Sequence, residues 1–93
     1  MTDYGARQIY NELFAAGFSA RELEFYTYWA DSSHASHGVR LNPLDRRLVL
    51  VLNQEAGSIR IRYWHDVQEL HEGVGPFHVE YAPDYATMLD MLR

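Results

Sequence analysis

Histidine is the residue type in this chain best suited to hold a metal ion, and five histidines stand among the 93 residues. His34 and His37 lie close together in a segment rich in Ser and Gly, so one ion could bind between them. His65 and His71, each followed by an acidic residue, could add further ligands. No pair has the fixed helical spacing that identifies metal sites, so surface histidine is the preferred interpretation and we expect no cofactor.

Hydrolytic chemistry is the second possibility, because Asp31, Ser32 or Ser33, and the neighbouring histidines contain the residue types of a catalytic triad. A flexible Ser-rich loop does not supply the strained nucleophile or the oxyanion hole that such a site needs, and the chain has no Gly-x-Ser-x-Gly motif. Two acidic pairs could act as general acid and base: Glu22 with Glu24, and Glu69 with Glu72. Solvated surface charge is the more common meaning of such pairs, so we expect that the protein is not an enzyme.

A strand face that carries Arg60, Arg62 and Trp64 is the best candidate for a working surface. Arg and Trp are enriched in the energetically important centres of protein interfaces, and here they alternate along one strand. The alternative is a structural role, in which Glu80 neutralises an arginine across the sheet. The candidate binding residues are Arg60, Arg62, Trp64, His78, Tyr26 and Tyr28.

The charge balance favours a protein partner over nucleic acid or membrane. Thirteen acidic residues against eight arginines give a net charge of −5, whereas affinity for phosphates depends on cations presented together. Seven Tyr, four Phe and two Trp are many for one small domain to bury, which indicates an exposed surface for another protein or for a homodimer. The longest purely apolar run is too short to span a membrane, and the first residues do not resemble a signal peptide, so we expect a cytoplasmic protein.

Residues 46–64 predict a β-hairpin that must position the arginine row. From residue 48 to residue 52 leucine alternates with valine, so both faces of the first strand are apolar, as expected for a strand covered on both sides. In the second strand Ile59, Ile61 and Tyr63 lie on the face opposite the arginines. The arginine face is too apolar to remain bare, so the 31–45 segment, the 23–29 segment or another chain must cover it.

Helices are predicted near both ends of the chain. The first apolar stripe consists of Ala6, Ile9, Tyr10 and Leu13, and the last of Tyr85, Met88, Leu89 and Leu92. Thr2 or Asp3 caps the first helix and Gly17 ends it, while Asp84 caps the last helix. Asp66 begins a shorter helical turn after the hairpin.

Residues 19–30 give conflicting signals. Ser19 and Glu22 form a capping box typical of a helix start, whereas residues 23–29 are rich in strand-forming side chains that alternate; we favour a strand. Residues 31–45 contain Ser, His, Gly, Asn and Pro in the pattern of a long irregular loop, which is a natural place for a site.

The remaining strand completes an α+β fold. Phe77, Val79 and Tyr81 alternate with polar residues and predict a strand whose apolar face joins the core. We predict a small, mainly antiparallel sheet of 3–4 strands, with the N- and C-terminal helices packed on one face, in a single domain over residues 1–93. The helices are expected to pack against Ile59, Ile61, Tyr63, Phe77, Val79 and Tyr81.

In size, acidic charge and lack of a catalytic motif, the chain resembles the small single-domain inhibitors encoded by phages and other mobile elements, anti-CRISPR proteins among them. This resemblance implies inhibition by occluding a partner, and it transfers no residues. The first hypothesis is therefore a non-enzymatic protein-binding module, a regulator or inhibitor. The alternatives are a single-stranded nucleic-acid binder that uses the arginine and aromatic strand face, and a histidine-based metal-dependent enzyme.

Overall fold

A five-stranded antiparallel sheet forms the centre of the structure, a computed structural model that describes residues 4–29 and 35–93, with side chains described for 5–27 and 36–93. The elements are α1 (Tyr4–Ala15), β1 (Leu23–Trp29), β2 (Ala35–Leu41), β3 (Val49–Glu55), β4 (Ser58–Trp64), α2 (Val67–His71), β5 (His78–Ala82) and α3 (Tyr85–Leu92). The strands lie in chain order across the sheet, and each is antiparallel to the next. The α+β prediction is confirmed, but the sheet has five strands and not 3–4. In the described ranges, no helix has the length and apolar character needed to cross a membrane.

The additional strand, β2, lies in the middle of the 31–45 segment that the sequence predicted to be a loop. A Cβ atom on Gly38 would lie 2.5 Å from the carbonyl oxygen of Leu52, so β2 can pack this closely against β3 only because residue 38 is glycine. Glycine is unfavourable in strands on propensity alone, and it therefore hides the short alternation of Val39 and Leu41, which are both buried.

The helices α1 and α3 cover one face of the sheet, as predicted. Their buried residues join those of the strands in one hydrophobic core: Ala6, Ile9, Leu13, Leu23, Val39, Leu41, Leu50, Leu52, Ile59, Ile61, Ala82, Met88 and Leu92. At the end of α1, the amide of Phe18 donates to the carbonyl of Leu13 (3.1 Å), and Gly17 adopts a left-handed backbone with φ of 110°. At the start of α3, a side-chain oxygen of Asp84 accepts the amide hydrogen of Thr87 at 2.8 Å. The predicted end of α1 at Gly17 and the predicted cap of α3 at Asp84 are therefore confirmed, whereas the predicted cap at Thr2 or Asp3 lies outside the described residues.

The capping box at residues 19–22 forms a single turn and not a helix. The Oε1 atom of Glu22 accepts hydrogen bonds from the amide (2.9 Å) and hydroxyl (3.1 Å) of Ser19. The strand β1 begins at the next residue, Leu23, so the predicted strand is confirmed. The strand formers after the box outweigh its helical signal once they pair along β2.

A smaller second cluster lies on the opposite face of the sheet, which we call the open face because α1 and α3 do not cover it. Val49, Val51 and Trp64 are its buried members. Tyr26, Val67 and Leu70 pack against them, so α2 and β1 cover β3 on the side away from the terminal helices. The prediction that this strand is covered on both faces is confirmed, and the covering residues on the open face come from the chain itself.

The placement of Val79 and Tyr81 differs from the prediction that they face the core. Val79 is 40% exposed and Tyr81 57% exposed, and Phe77, just before β5, is 50% exposed. The register pairs Ile59 with Ala82, and cross-strand partners share a face, so the alternate residues Val79 and Tyr81 lie on the open face. The small side chain of Ala82, fully buried, leaves room for α3 on the other side.

The β3–β4 hairpin closes through two residues, Ala56 and Gly57, which both have positive φ angles of 49° and 85°. Two positive φ angles in a two-residue loop are the geometry whose twist matches the flanking strands. Glycine adopts this conformation freely, whereas Ala56 carries a Cβ atom that disfavours it.

Candidate functional site

The strand β4 places Arg60, Arg62 and Trp64 on the open face, in agreement with the predicted alternation. Their cross-strand partners on β3 are Asn53, Val51 and Val49. On the other side, Arg60 is paired with Tyr81 and Arg62 with Val79 of β5. The arginine row therefore lies between a buried apolar strand and an exposed one.

Trp64 is only 4% exposed, although its alternation with Arg60 and Arg62 predicts a surface residue. Val67 and Leu70 of α2 pack against its cluster, and its indole Nε1–H donates to the carbonyl oxygen of Val74 at 2.6 Å. A buried indole N–H requires such an acceptor. The structure thus assigns Trp64 to the second cluster, where residues of α2 cover it, so it is not itself available for contact.

The arginines of the open face are held in place by neighbouring side chains. The Nε atom of Arg60 lies 3.1 Å from a carboxylate oxygen of Glu55 and 3.3 Å from the amide oxygen of Asn53. The guanidinium carbon of Arg62 lies 5.6 Å from the ring centre of Trp64, which is a cation–π distance. These contacts preorganise the two cations, so ordering them on binding costs little side-chain entropy.

The exposed apolar residues next to these arginines are Val79 and Tyr81, which the sequence analysis had assigned to the core. The signal that could have found them is Ala82, whose small side chain alternates with them at the end of the same strand. Ala82 ends β5 two residues before the helix cap at Asp84, and it lies in the core with Met88 and Leu92 of α3.

His78 does not lie beside the arginine row, because its cross-strand partner is Tyr63 and it therefore faces the helix side. Its Nε2 atom is 2.7 Å from a carboxylate oxygen of Glu80. Burial raises the pKa of the Tyr63 hydroxyl, and the nearby charge of Glu80 raises it further, so this hydroxyl stays protonated and donates to Glu80. Glu80 thus interacts with Tyr63 and His78. The acidic residue that pairs with Arg60 is Glu55 and not the predicted Glu80.

Of the two tyrosines of β1, only Tyr26 has a described side chain. Tyr26 is half-buried on the open face and packs against the second cluster. The backbone of Tyr28 is paired with Ser36 of β2, but its side chain lies outside the described residues. Between β1 and the arginines, Arg40 forms an ion pair with Glu24.

The residues proposed for metal or hydrolytic chemistry are not brought together in the described part of the chain. Asp31, Ser32, Ser33 and His34 lie outside the described residues. Among the described residues, no group of three or more His, Asp or Glu side chains is arranged to hold a metal ion. The Nδ1 atom of His37 lies 3.1 Å from the hydroxyl of Thr27.

The remaining candidates for acid–base chemistry make contacts with near neighbours on the chain or across the sheet. A carboxylate oxygen of Glu69 lies 3.0 Å from His65, and one of Glu72 accepts from Gln68 at 3.1 Å. Glu22 and Glu24 are in the Ser19 turn and the Arg40 ion pair described above. These contacts are typical of structural carboxylates.

Comparisons with known proteins do not assign a family to this geometry. No model of a protein family matches the chain, and neither a curated protein nor a solved structure matches it. The function is therefore argued from the residues of the open face.

Proposed function

We propose that the protein is a non-enzymatic module that binds another protein through the β4–β5 half of its open face. The observation that supports this most directly is the pairing of exposed apolar side chains with ordered arginines. Val79 and Tyr81 are 40% and 57% exposed, and they lie directly across from Arg62 and Arg60. Tyr and Arg contribute more binding energy at interface centres than most other residues.

Electrostatics favours a protein over a single-stranded nucleic acid as the partner. Arg60 is already in contact with Glu55, and Arg40 with Glu24, so phosphates would have to displace two carboxylates from the same face. The chain also carries a net charge of −5, which repels a polyanion. A protein surface with an apolar centre and a few acidic groups meets neither obstacle.

A preorganised surface with exposed apolar side chains suits a protein that covers part of a larger molecule. We therefore assign to the protein the role of a small acidic regulator or inhibitor that occludes its partner in the cytoplasm. The support for this role is the character of the face, where an exposed Tyr and Val alternate with polar residues along an edge strand. Exposed apolar side chains grouped in this way are typical of interaction surfaces.

Affinity capture from a native lysate with three immobilised proteins tests this proposal. They are the wild type, the double variant Val79→Thr with Tyr81→Thr, and the control Phe14→Ala. Threonine retains strand propensity at the two altered positions. Phe14 is 56% exposed on α1, on the other side of the sheet, so the control removes a similar aromatic area elsewhere.

The expected result is one protein that is retained by the wild type and the control and lost by the double variant, with little change between low and physiological salt. Retention by the double variant would exclude this half of the face. Binding that falls steeply with salt and disappears with nuclease would support nucleic acid instead. If the partner is a second copy of the chain, light scattering will show a dimer for the wild type and a monomer for the double variant.

A further inference from the structure

A cleft at one end of the sheet is lined by three of the eight arginines of the chain, and it lies apart from the β4–β5 half of the open face. It encloses about 400 Å³ between the turn that precedes β1 and the connection from β2 to β3. This volume lies within the range of small-ligand sites. We call it the arginine cleft after Arg21, Arg46 and Arg47, which line it together with the acidic residue Asp66.

Glu22 holds the two walls of the arginine cleft together. Its backbone carbonyl accepts the amide hydrogen of Asn42 at 2.8 Å, and its Oε2 atom accepts that of Leu44 at 3.2 Å. The hydrogen bonds from the backbone amides of Ser19 and then Leu44 lower the pKa of the Glu22 carboxyl, so it is ionised at neutral pH. These contacts tether the segment that carries Arg21 to the one that carries the other two arginines.

The charge in the cleft is opposite to that of the whole protein. Asp66 is the acidic residue that lines it, and this carboxylate also accepts the amide hydrogen of Glu69 at 2.9 Å. It lies 3.5 Å from Arg47, and the Asp45 carboxylate lies 4.0 Å from Arg46. Both ion pairs are solvent-exposed and therefore weak. Three arginines and one carboxylate in the lining give the cleft a net positive charge, which a bound anion would neutralise.

Apolar side chains also line the cleft, which restricts the kind of anion that fits best. Leu44, which is 64% exposed, and the half-buried Leu48 and Val67 offer this apolar surface, whereas Val49 is already buried in the second cluster. A small inorganic ion would leave this surface uncovered. A ligand that carries an apolar group next to its charge would bury the surface and gain additional affinity.

We propose that the arginine cleft binds an oxyanion, a carboxylate or a phosphate ester, that is attached to an apolar group. Guanidinium groups bind both kinds of oxyanion through paired N–H donors, so the chemistry is shared by the two sources. This proposal does not depend on the proposed protein contact at the open face.

The test is a titration of the uniformly ¹⁵N-labelled full chain at low ionic strength, followed by the amide chemical shifts. The probes are phenyl phosphate and phenylacetate, with benzyl alcohol as the uncharged control and inorganic phosphate as the control without an apolar group. We expect saturable shifts at residues 42, 44–48 and 66–67 with both anionic probes. The affinity for inorganic phosphate should be lower, and benzyl alcohol should cause no saturable shift.

The double variant Arg46→Gln with Arg47→Gln should bind at least about tenfold more weakly, which is the effect of losing roughly one charge-assisted hydrogen bond. The exposed Arg7→Gln serves as the matched control and should bind like the wild type. Because Arg46 also donates to the carbonyl of Leu92 at 3.4 Å, the exposed Arg21→Gln provides a second variant that does not alter the core. Preference for phenyl phosphate or for phenylacetate identifies the source of the oxyanion.

Three results would overturn the proposal. The first is the absence of saturable shifts with both anionic probes, and the second is equal affinity in the wild type and the variants at Arg21, Arg46 and Arg47. The third is binding of benzyl alcohol as tight as that of phenyl phosphate, because it would show that charge makes no contribution. The protein contact proposed for the open face would be unaffected by any of these results, since it is measured with variants at Val79 and Tyr81.

Discussion

Replacing Trp64 by alanine is expected to destabilise the protein strongly, because its ring is the centre of the second cluster. The side chain is 4% exposed and covers Val49 and Val51, which are 3% and 0% exposed. Truncating a buried Trp to Ala typically costs about 3–5 kcal/mol of unfolding free energy. Losing the hydrogen bond to the Val74 carbonyl adds about 1 kcal/mol to this cost. The additional cost of a buried acceptor without a partner does not arise, because Val74 is exposed and its carbonyl can bond to water.

The Trp64→Phe variant separates these two contributions. Phenylalanine retains most of the apolar cover but cannot donate to the Val74 carbonyl, so we expect a loss of about 1–2 kcal/mol. The control is Phe14→Ala, at a position that is 56% exposed, where the loss should stay below about 1 kcal/mol. Urea unfolding followed by circular dichroism gives the unfolding free energies of Trp64→Ala, Trp64→Phe and Phe14→Ala. The dependence of this free energy on urea concentration should be unchanged in Trp64→Phe and Phe14→Ala.

Amide hydrogen exchange in Trp64→Ala should show which part of the structure opens first. Because α2 rests on Trp64 through Val67 and Leu70, amide hydrogen exchange over residues 67–74 should accelerate in Trp64→Ala before that of β3 does. If the unfolding free energy of Trp64→Ala lies within about 0.5 kcal/mol of the wild-type value, the ring is not buried and the second cluster does not exist as described. Unchanged exchange over residues 67–74 would show that α2 is held by other contacts.

Three further predictions concern substitutions at Gly38, Ala56 and Asp84. Gly38→Ala should lower the unfolding free energy by about 1–3 kcal/mol in urea, since the new Cβ atom would lie 2.5 Å from the Leu52 carbonyl oxygen; wild-type stability would refute this close approach. Ala56→Asn should raise stability by about 0.5–1 kcal/mol, because Asn tolerates the left-handed backbone with φ of 49° better than Ala, and a loss would show that the turn has another geometry. The hydrogen bond from the Thr87 amide lowers the pKa of Asp84, so the charge-dependent part of its stabilisation is complete above the unfolded-state pKa and is lost as the pH falls through the lower folded-state pKa. Urea unfolding should show Asp84→Ala less stable than wild type at neutral pH, by a difference that shrinks in acid, where the protonated carboxyl still caps the helix as a neutral acceptor. A constant difference would contradict this.

The helix ends and the hairpin could be predicted from sequence because their signals are local. Gly17 and Asp84 act through hydrogen bonds to residues within a few positions, and short-range chemistry of this kind is readable in the chain itself. The leucine and valine alternation in β3 was likewise sufficient, since a strand that is apolar on both faces must be central.

The errors concern features that depend on register between strands. Gly38 is favourable only because of a carbonyl on β3, so β2 could not be recognised from its own residues. For β5, the apolar alternation of Val79 and Tyr81 suggested a core face, but the pairing of Ile59 with Ala82 determines which face is buried. The turn containing Val67 and Leu70 was predicted correctly, but the sequence did not show that it packs against Trp64.

The order of the strands has a consequence for how fast the chain folds. Each strand of the sheet pairs with the strand that precedes or follows it in the chain, so the sheet can assemble as successive hairpins without a long crossover. Folding rates of small domains rise as the sequence separation between contacting residues falls. We therefore expect this β-rich chain to refold faster than a sandwich of equal length, which stopped-flow refolding measures directly. During synthesis, its unpaired strand edges would then be exposed to other chains only briefly.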